Sequence, residues 1–276
     1  MSYKLTPLEP DHDVMVVGCG GTGGFVAEGL CRLLPSSHPL YLVDPDRVEE
    51  RNLIRQNFYK EDLGRFKAEA LARRLSNQFG REVNYMASPV EELALNERGH
   101  LTIGCVDNPK AREILQYSGY GMMGRWSYLK AGALWYIDAG NGEHSGQVLI
   151  GNGLLRDLLH GFSLNEGRAK CLPLPQLQQP GLLAPQVKPR PDCARAVARH
   201  EQSPVINRMM ADLVLTFVHK LLTDTMTWMG AYLDLEAGTM TAVDATPEAV
   251  SRITGLTVRQ LEYRPRPIKE RVEVRV

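Results

Sequence analysis

Glycine residues near the start of the chain have a spacing suited to binding a phosphate group. Gly18, Gly20 and Gly23 form a Gly-x-Gly-x-x-Gly pattern that follows an apolar run at 14–17 and precedes apolar residues at helical spacing. Glycine permits a tight turn and lets a phosphate approach the backbone amides, and the first turn of a helix attracts an anion. The pattern predicts a nucleotide-binding loop, and a glycine turn with only a structural role is the alternative.

An acidic residue follows the next predicted strand. Pro35 ends the predicted helix, residues 40–43 form a second apolar run, and Asp44 comes directly after it. A carboxylate about 20 residues beyond such glycines typically accepts hydrogen bonds from ribose hydroxyls. The order of strand, loop, helix, strand and Asp44 predicts a Rossmann-like α/β fold, without indicating which nucleotide it binds.

Two cations, Arg55 and Lys67, come soon after Asp44. A dehydrogenase does not need fixed cations beside the pyrophosphate of its cofactor. An enzyme that breaks a bond to phosphorus does, because charge on the phosphates must be neutralised. The alternative is that both are solvated surface charges, and residue type alone favours that alternative.

Asp107 and Asn108 follow an apolar run at 101–106 that is typical of a buried parallel strand. Ligands of open α/β sheets bind at the carboxyl ends of such strands, so Asp107 is a candidate ligand-binding carboxylate. The alternative is that Asp107 caps a helix that begins at Pro109.

Several short motifs occur in one fixed order along residues 12–222. They are Gly-x-Gly-Gly-x-Gly at 18–23, Asp-x-Asp-x-Val at 44–48, Asn-Leu-x-Arg-Gln at 52–56, Lys67, and the apolar strand that ends in Asp107 and Asn108. In this order they resemble the ThiF/MoeB/HesA family of ubiquitin-activating-enzyme-like adenylyltransferases. Within that family the chain looks most similar to the ThiF-family member of the ParB-related, ThiF-related bacterial cassette.

The resemblance implies a role for each motif. ATP and Mg²⁺ would be the cofactors, and the C-terminal carboxylate of a small ubiquitin-like protein ending in glycine would attack the α-phosphorus. A homodimer is also implied. The residues would act as follows: Gly18, Gly20, Gly21 and Gly23 around the phosphates, Asp44 on the ribose, Asn52, Arg55 and Lys67 on the phosphates, Asp107 on Mg²⁺, and Asn108 on the nucleotide or as a helix cap. Arg112 also matches the family pattern.

The number and spacing of the cysteines indicate reduced thiols rather than disulfides. There are five, at 19, 31, 105, 171 and 193, and no Cys-x-x-Cys occurs, so a disulfide framework is not favoured. Many relatives hold a structural zinc with two Cys-x-x-Cys pairs. Because both pairs are missing from this sequence, we expect no zinc site here. By resemblance, Cys193 is the candidate nucleophile that would take the acyl group as a thioester. Cys171 is the weaker alternative, and an inert role for Cys193 remains open.

We expect a doubly wound, mostly parallel sheet with an antiparallel extension. Residues 1–222 would form the adenylation domain, with a proline-rich crossover loop at about 168–193. Residues 223–276 would add a hairpin, with strands at 231–235 and 239–243, and a tail. Residues 1–13 are expected to be irregular, and the aromatic segment 116–133 has no assignment.

The composition argues against some functions. Lys plus Arg and Asp plus Glu number 32 each, so no overall field attracts nucleic acid or an anionic membrane. No apolar run approaches the ~20 residues that span a bilayer. We therefore expect a soluble cytoplasmic protein that binds neither nucleic acid nor membrane.

Two other functions fit the same glycine loop. One is an NAD-dependent oxidoreductase, although the sequence contains no Tyr-x-x-x-Lys or His-Asp catalytic pattern that supports it. The other is a non-catalytic nucleotide-binding adaptor. Its support is the missing zinc cysteines and the lack of any arginine before Arg32, where related enzymes often supply an arginine to a partner subunit.

Overall fold

The computed structural model describes residues 2–10, 12–92, 100–118, 135–184 and 204–263. Twelve strands and seven α-helices are present in these ranges. The strands are β1 Lys4–Leu5, β2 Asp13–Val17, β3 Leu40–Val43, β4 Val83–Met86, β5 His100–Gly104, β6 Trp135–Asn141, β7 Ser145–Gly151, β8 Phe162–Ser163, β9 Arg168–Ala169, β10 Trp228–Asp234, β11 Thr239–Asp244 and β12 Glu262–Tyr263. The helices are α1 Gly21–Leu33, α2 Lys67–Phe79, α3 Pro109–Ser118, α4 Pro175–Gln178, α5 Pro204–Leu222, α6 Pro247–Thr254 and α7 Val258–Leu261.

An eight-stranded sheet with the order β11-β10-β7-β6-β5-β2-β3-β4 forms the centre of the fold. The pairs from β6 to β4 are all parallel, and the pairs β6–β7, β7–β10 and β10–β11 are antiparallel. This arrangement confirms the predicted Rossmann-like sheet with its antiparallel extension. The predicted hairpin is also confirmed, because β10 and β11 pair with each other at the edge of the same sheet.

The side chains of β2 explain why helices cover both faces of the sheet. Val14 and Val16 belong to one buried cluster, which includes residues of α1, α2 and α5, whereas Met15 and Val17 belong to a second, which includes Leu115 of α3. Successive strand residues point to opposite faces, so an entirely apolar strand needs cover on both. The glycine loop and the carboxyl end of β5 are thereby held in a rigid frame.

Two segments expected to be irregular are instead packed. Tyr3, Leu5 and Leu8 are buried, and β1 pairs with β9 in a four-stranded sheet of order β1-β9-β8-β12. The start of the proline-rich stretch contains β9, α4 and a 3₁₀ helix at Pro180–Leu183. The prediction of a plain loop was wrong for 168–184 because prolines at first helical positions start helices there, and Leu172, Leu174 and Leu182 are buried.

The chain beyond β11 contains two short helices that were not predicted. Thr246 caps α6, since its side chain accepts a hydrogen bond from the Ala249 amide, and Gly255 ends that helix in the left-handed conformation. The two helices lead into β12, which pairs with β8. Three predicted features lie outside the described residues: most of the aromatic segment (119–133), Cys193 with the rest of the crossover loop (185–193), and the tail. No helix in the described ranges is long and apolar enough to cross a bilayer.

Candidate active site

A cavity of about 660 Å³ opens at the carboxyl ends of the parallel strands. The chain runs from β2 outward to β3 and β4 and then returns to β5 on the other side of β2. Open α/β sheets bind ligands at such a reversal of strand order. The cavity is lined by the glycine loop, the residues after β3 and β5, the first turns of α2, α3 and α5, and the end of β6.

The glycine loop has the form that a phosphate site requires. Gly18 has φ +89°, and a side chain on Gly23 would collide with the carbonyl of Gly18, so both positions need glycine. Gly20 is the N-cap of α1 and makes no side-chain capping bond, and an added Cβ there would approach nothing closer than 3.8 Å. The first amides of α1 therefore face the cavity without a side-chain cap.

Asp44 fastens this loop to the end of β3. One carboxylate oxygen accepts a hydrogen bond of 2.7 Å from the Cys19 amide, and the other accepts one of 2.8 Å from the Asp46 amide. Burial raises the pKa of Asp44, and the ammonium group of Lys67 opposes that rise. Asp44 also lines the cavity, and its contact with ribose remains a prediction.

Lys67 and Arg55 both reach the cavity wall. Lys67 is the first residue of α2, and its side chain is only 10% exposed. Its ammonium group donates a hydrogen bond of 2.8 Å to Asp46, whose side chain is 66% exposed. A solvated carboxylate holds a cation weakly, so a phosphate could replace Asp46 as the partner of Lys67 at small cost.

Asn52 has a different position from the one expected. It is buried, and its side-chain oxygen accepts a hydrogen bond of 2.8 Å from the Glu49 amide. Among the described residues it is not part of the cavity wall. Its carbonyl accepts the amide hydrogens of Arg55 and Gln56, so Asn52 shapes the turn that carries Arg55 to the cavity.

Asp107 and Asn108 lie beside each other at the cavity wall, three and four residues beyond the end of β5. Asn108 is the residue that caps α3, because its side-chain oxygen accepts a hydrogen bond of 2.7 Å from the Ala111 amide. The cap that offered an alternative explanation for Asp107 is therefore made by its neighbour. Asp107 itself is exposed at the wall.

Arg112 belongs to a buried hydrogen-bond network with Tyr136 and Asp138 that sequence reasoning missed. Asp138 is fully buried, and one of its oxygens accepts hydrogen bonds of 3.2 Å from Arg112 and 2.6 Å from the Tyr136 hydroxyl. Burial raises the pKa of Asp138, and Arg112 opposes that rise. β6 continues past Asp138 to Asn141, and the sequence offered no signal for the pairing of Asp138 with Arg112.

Four side-chain amides also line the cavity and were not predicted. They are Gln56, Asn141, Gln147 and Asn207. The last three come from β6, β7 and α5. Only the fold brings them together.

Cys19, Cys105 and Cys171 are buried or partly buried thiols with raised pKa values. Burial raises the pKa of Cys19 well above its usual range and that of Cys105 to about 12. Burial also raises the pKa of Cys171 to about 12, assisted by the negative charge of Asp157. The described cysteines therefore lack the thiolate character of a nucleophile.

We expect Cys171 to resist alkylation in the folded protein. At pH 8 a thiol with a pKa of about 12 is ~1,000-fold less ionised than one at the ordinary value of 9.0. Labelling by iodoacetamide, followed by peptide mass spectrometry, should show Cys171 modified quickly in denaturant and slowly without it, with a rate that rises with pH. Equal labelling rates in the two conditions would contradict a buried, protonated thiol.

The model of the ThiF family matches residues 10–148. The chain belongs to the ThiF family. No curated protein matches its sequence.

Solved structures share the fold of this ThiF-family chain. PaaA is 18% identical with a TM-score of 0.54, and the match covers 85% of this chain and 64% of that structure. E. coli MccB with ATP is 16% identical with a TM-score of 0.56, covering 85% and 64%. The microcin C7 biosynthetic enzyme MccB in complex with N-formylated MccA is 16% identical with a TM-score of 0.57, covering 85% and 65%. The chain thus spans just under two thirds of each, and these matches do not distinguish the cassette member from other ThiF-family proteins.

Proposed function

We propose that this ThiF-family chain is an ATP-dependent adenylyltransferase that activates the C-terminal carboxylate of a small protein. The observation that carries the proposal is the make-up of one cavity wall. The uncapped start of α1, two cations at Arg55 and Lys67, and an exposed carboxylate at Asp107 all border the same space. A phosphate chain with its metal requires this combination, and a dinucleotide held for hydride transfer does not.

In the proposed reaction an oxygen of the substrate carboxylate attacks the α-phosphorus of ATP. The bond between that phosphorus and the oxygen bridging to the β-phosphorus breaks, and pyrophosphate leaves with the electron pair. The product is a mixed anhydride, the acyl-adenylate. Asp44 would hold the ribose, the glycine loop would hold the phosphates, and Arg55 and Lys67 would stabilise the charge that develops on the leaving group.

The residues present fit a magnesium ion. Mg²⁺ usually binds through one or two carboxylates together with substrate phosphates and water. The described residues contain no group of three or more His, Cys, Asp or Glu that could hold a metal alone, but Asp107 lies exposed at the cavity wall. When bound there with the nucleotide, Mg²⁺ would supply positive charge against the triphosphate. The expectation of no zinc site stays a prediction.

For the substrate we propose a small ubiquitin-like protein with a C-terminal glycine. The order of motifs from Gly18 to Asp107 supports this choice, as it resembles the enzymes that activate such proteins. The same resemblance supports a homodimer. The structural neighbour MccB has been solved with ATP and, separately, with N-formylated MccA.

Exchange of labelled pyrophosphate into ATP tests the proposal. We expect the purified chain to catalyse exchange when a small-protein fraction from its own cells is added, because only reversible adenylation returns pyrophosphate to ATP. Treating that fraction with carboxypeptidase should abolish the exchange, since the reacting carboxylate is C-terminal. Formation of ADP and phosphate in place of exchange would contradict adenylation.

We further propose that Cys193 receives the acyl group. Its thiolate would attack the acyl carbon of the adenylate, and AMP would leave with the bonding electron pair. Cys193→Ala is then expected to retain pyrophosphate exchange and to lose the thioester-linked protein adduct, which is seen on gels without thiol and is cleaved when a thiol is added. Cys171→Ala is the matched control and should keep the adduct, whereas an adduct that persists in Cys193→Ala would rule Cys193 out.

A further inference from the structure

Asn207 carries an unsatisfied hydrogen-bond donor at the cavity wall. The residue lies in the first turn of α5 and is 0% exposed, yet it lines the cavity. Its side-chain nitrogen, Nδ2, has no hydrogen-bond partner among the described residues. A buried donor without a partner costs free energy, about 1–3 kcal/mol, so a ligand that accepts its hydrogen is favoured there.

A short relay of hydrogen bonds fixes the direction of this donor. The Thr22 hydroxyl donates to Oδ1 of Asn141 at 3.2 Å, and Nδ2 of Asn141 donates to Oδ1 of Asn207 at 3.2 Å. Each amide oxygen in the relay therefore has a donor. Rotating the Asn207 amide by half a turn would bring two NH₂ groups together, so the relay keeps Nδ2 of Asn207 as the free end.

Nδ2 of Asn207, the last group of the relay, lies next to the backbone of Gly21. A Cβ added to Gly21 would collide with Nδ2 of Asn207, so the two are in close contact. Gly21 is the first residue of α1, whose N-cap Gly20 provides no side-chain cap. The partial positive charge of the helix start and the unpaired amide of Asn207 thus favour an acceptor at the same point.

The position of Gly21 relative to Asp44 indicates which phosphoryl group of the nucleotide would accept the hydrogen bond from Asn207. Asp44 binds the amide of Cys19, two residues before Gly21, and in the proposed function it also holds the ribose. The phosphoryl group at Gly21 would then be the one attached to the ribose. That group carries one negative charge both in ATP and in an acyl-adenylate, so a neutral donor suits it before and after pyrophosphate leaves.

We propose that Asn207 is a binding residue for the α-phosphoryl group of the nucleotide. The inference rests on the proposed function. Arg55 and Lys67 would serve the departing phosphates, and Asn207 would serve the phosphorus that is attacked. The relay through Thr22 and Asn141 would hold its amide in place for that contact.

Calorimetric titrations with adenosine, AMP and Mg²⁺-ATP test the inference without the protein substrate. The variants are Asn207→Asp, which replaces the donor by a carboxylate oxygen of the same size, and Asn207→Ala, which removes it. Asn84→Asp on β4 is the control, because it adds the same charge outside the cavity. Should Asn207→Asp fail to fold, Asn207→Ala provides the test alone.

We expect both Asn207 variants to raise the Kd of AMP and of Mg²⁺-ATP at least tenfold, since a hydrogen bond to a charged group is lost. The Kd of adenosine should stay within twofold of the wild-type value. Unchanged AMP binding, or an equal loss for adenosine, would overturn the role of Asn207 and leave the proposed function standing. A wild-type protein that binds neither AMP nor Mg²⁺-ATP would overturn the proposed function, and this inference with it.

Discussion

Asp107→Ala is expected to abolish Mg²⁺-dependent pyrophosphate release while the protein stays folded. Asp107 is exposed at the cavity wall beyond β5, and the hydrogen bond between the Asn108 side chain and the Ala111 amide, which caps α3, is kept in the variant. Removing the proposed metal ligand leaves the charge of the triphosphate poorly neutralised. Metal ions supply several kcal/mol of transition-state stabilisation, so turnover should fall by ~1,000-fold or more.

Pyrophosphate release, measured across a series of Mg²⁺ concentrations, checks this expectation. The matched control is Asp212→Ala, which removes an exposed carboxylate of α5 that does not line the cavity. The control should keep wild-type turnover. If Asp107→Ala also retains turnover with the same Mg²⁺ dependence, Asp107 does not bind the metal.

Lys67→Ala is expected to lower turnover at least tenfold and to weaken the binding of Mg²⁺-ATP. The side chain is 10% exposed and faces the cavity, where a lost charged contact easily exceeds the ~1.4 kcal/mol that corresponds to a tenfold change. Arg55→Ala should also lower turnover at least tenfold, because Arg55 lines the same wall. Lys170→Ala, which removes an exposed lysine paired with Glu166, is the control.

The Lys67 variant should also show a shifted pH dependence. Burial raises the pKa of Asp44, and Lys67 is the largest influence that lowers it, so its removal leaves only the hydrogen bonds from the Asp46 and Cys19 amides to oppose burial. Asp44 would then take up a proton at a higher pH than in the wild type. As the pH falls, nucleotide affinity should be lost earlier in Lys67→Ala than in the wild type, and titrations at a series of pH values measure this. Coincident pH profiles, with unchanged kinetics, would show that Lys67 is an ordinary surface charge.

The phosphate loop and the parallel sheet could be predicted because their determinants are local. Gly18, Gly20 and Gly23 lie within one turn, and the alternation of β2 between two buried faces follows from its uninterrupted apolar run. The carboxyl-end position of Asp107 follows from the same rule of sheet topology. The distinction between Asp107 and Asn108 as the helix cap depended on the geometry of one turn, which the sequence left open.

The remainder of the site depends on contacts between distant parts of the chain. Thr22 and Asn141 are 119 residues apart, and Asn141 and Asn207 are 66 apart. A single asparagine on a helix has no local pattern that indicates such a partner. The pairing of β1 with β9 has the same cause, since a two-residue strand is defined only by its partner. Long-range packing, rather than local propensity, decided these features.

Thermal unfolding of the intact protein with Mg²⁺-ATP and with NAD⁺, side by side, tests the central claim most directly. A ligand at 100 times its Kd adds about 2.7 kcal/mol to the free energy of unfolding, which shifts the Tm by several degrees. We predict that ATP raises the Tm of the wild type only when Mg²⁺ is present and that NAD⁺ has no effect. In Asp107→Ala, ATP should either leave the Tm unchanged or raise it equally with and without Mg²⁺. Stabilisation by NAD⁺ with none by Mg²⁺-ATP would contradict the adenylyltransferase account and favour an oxidoreductase.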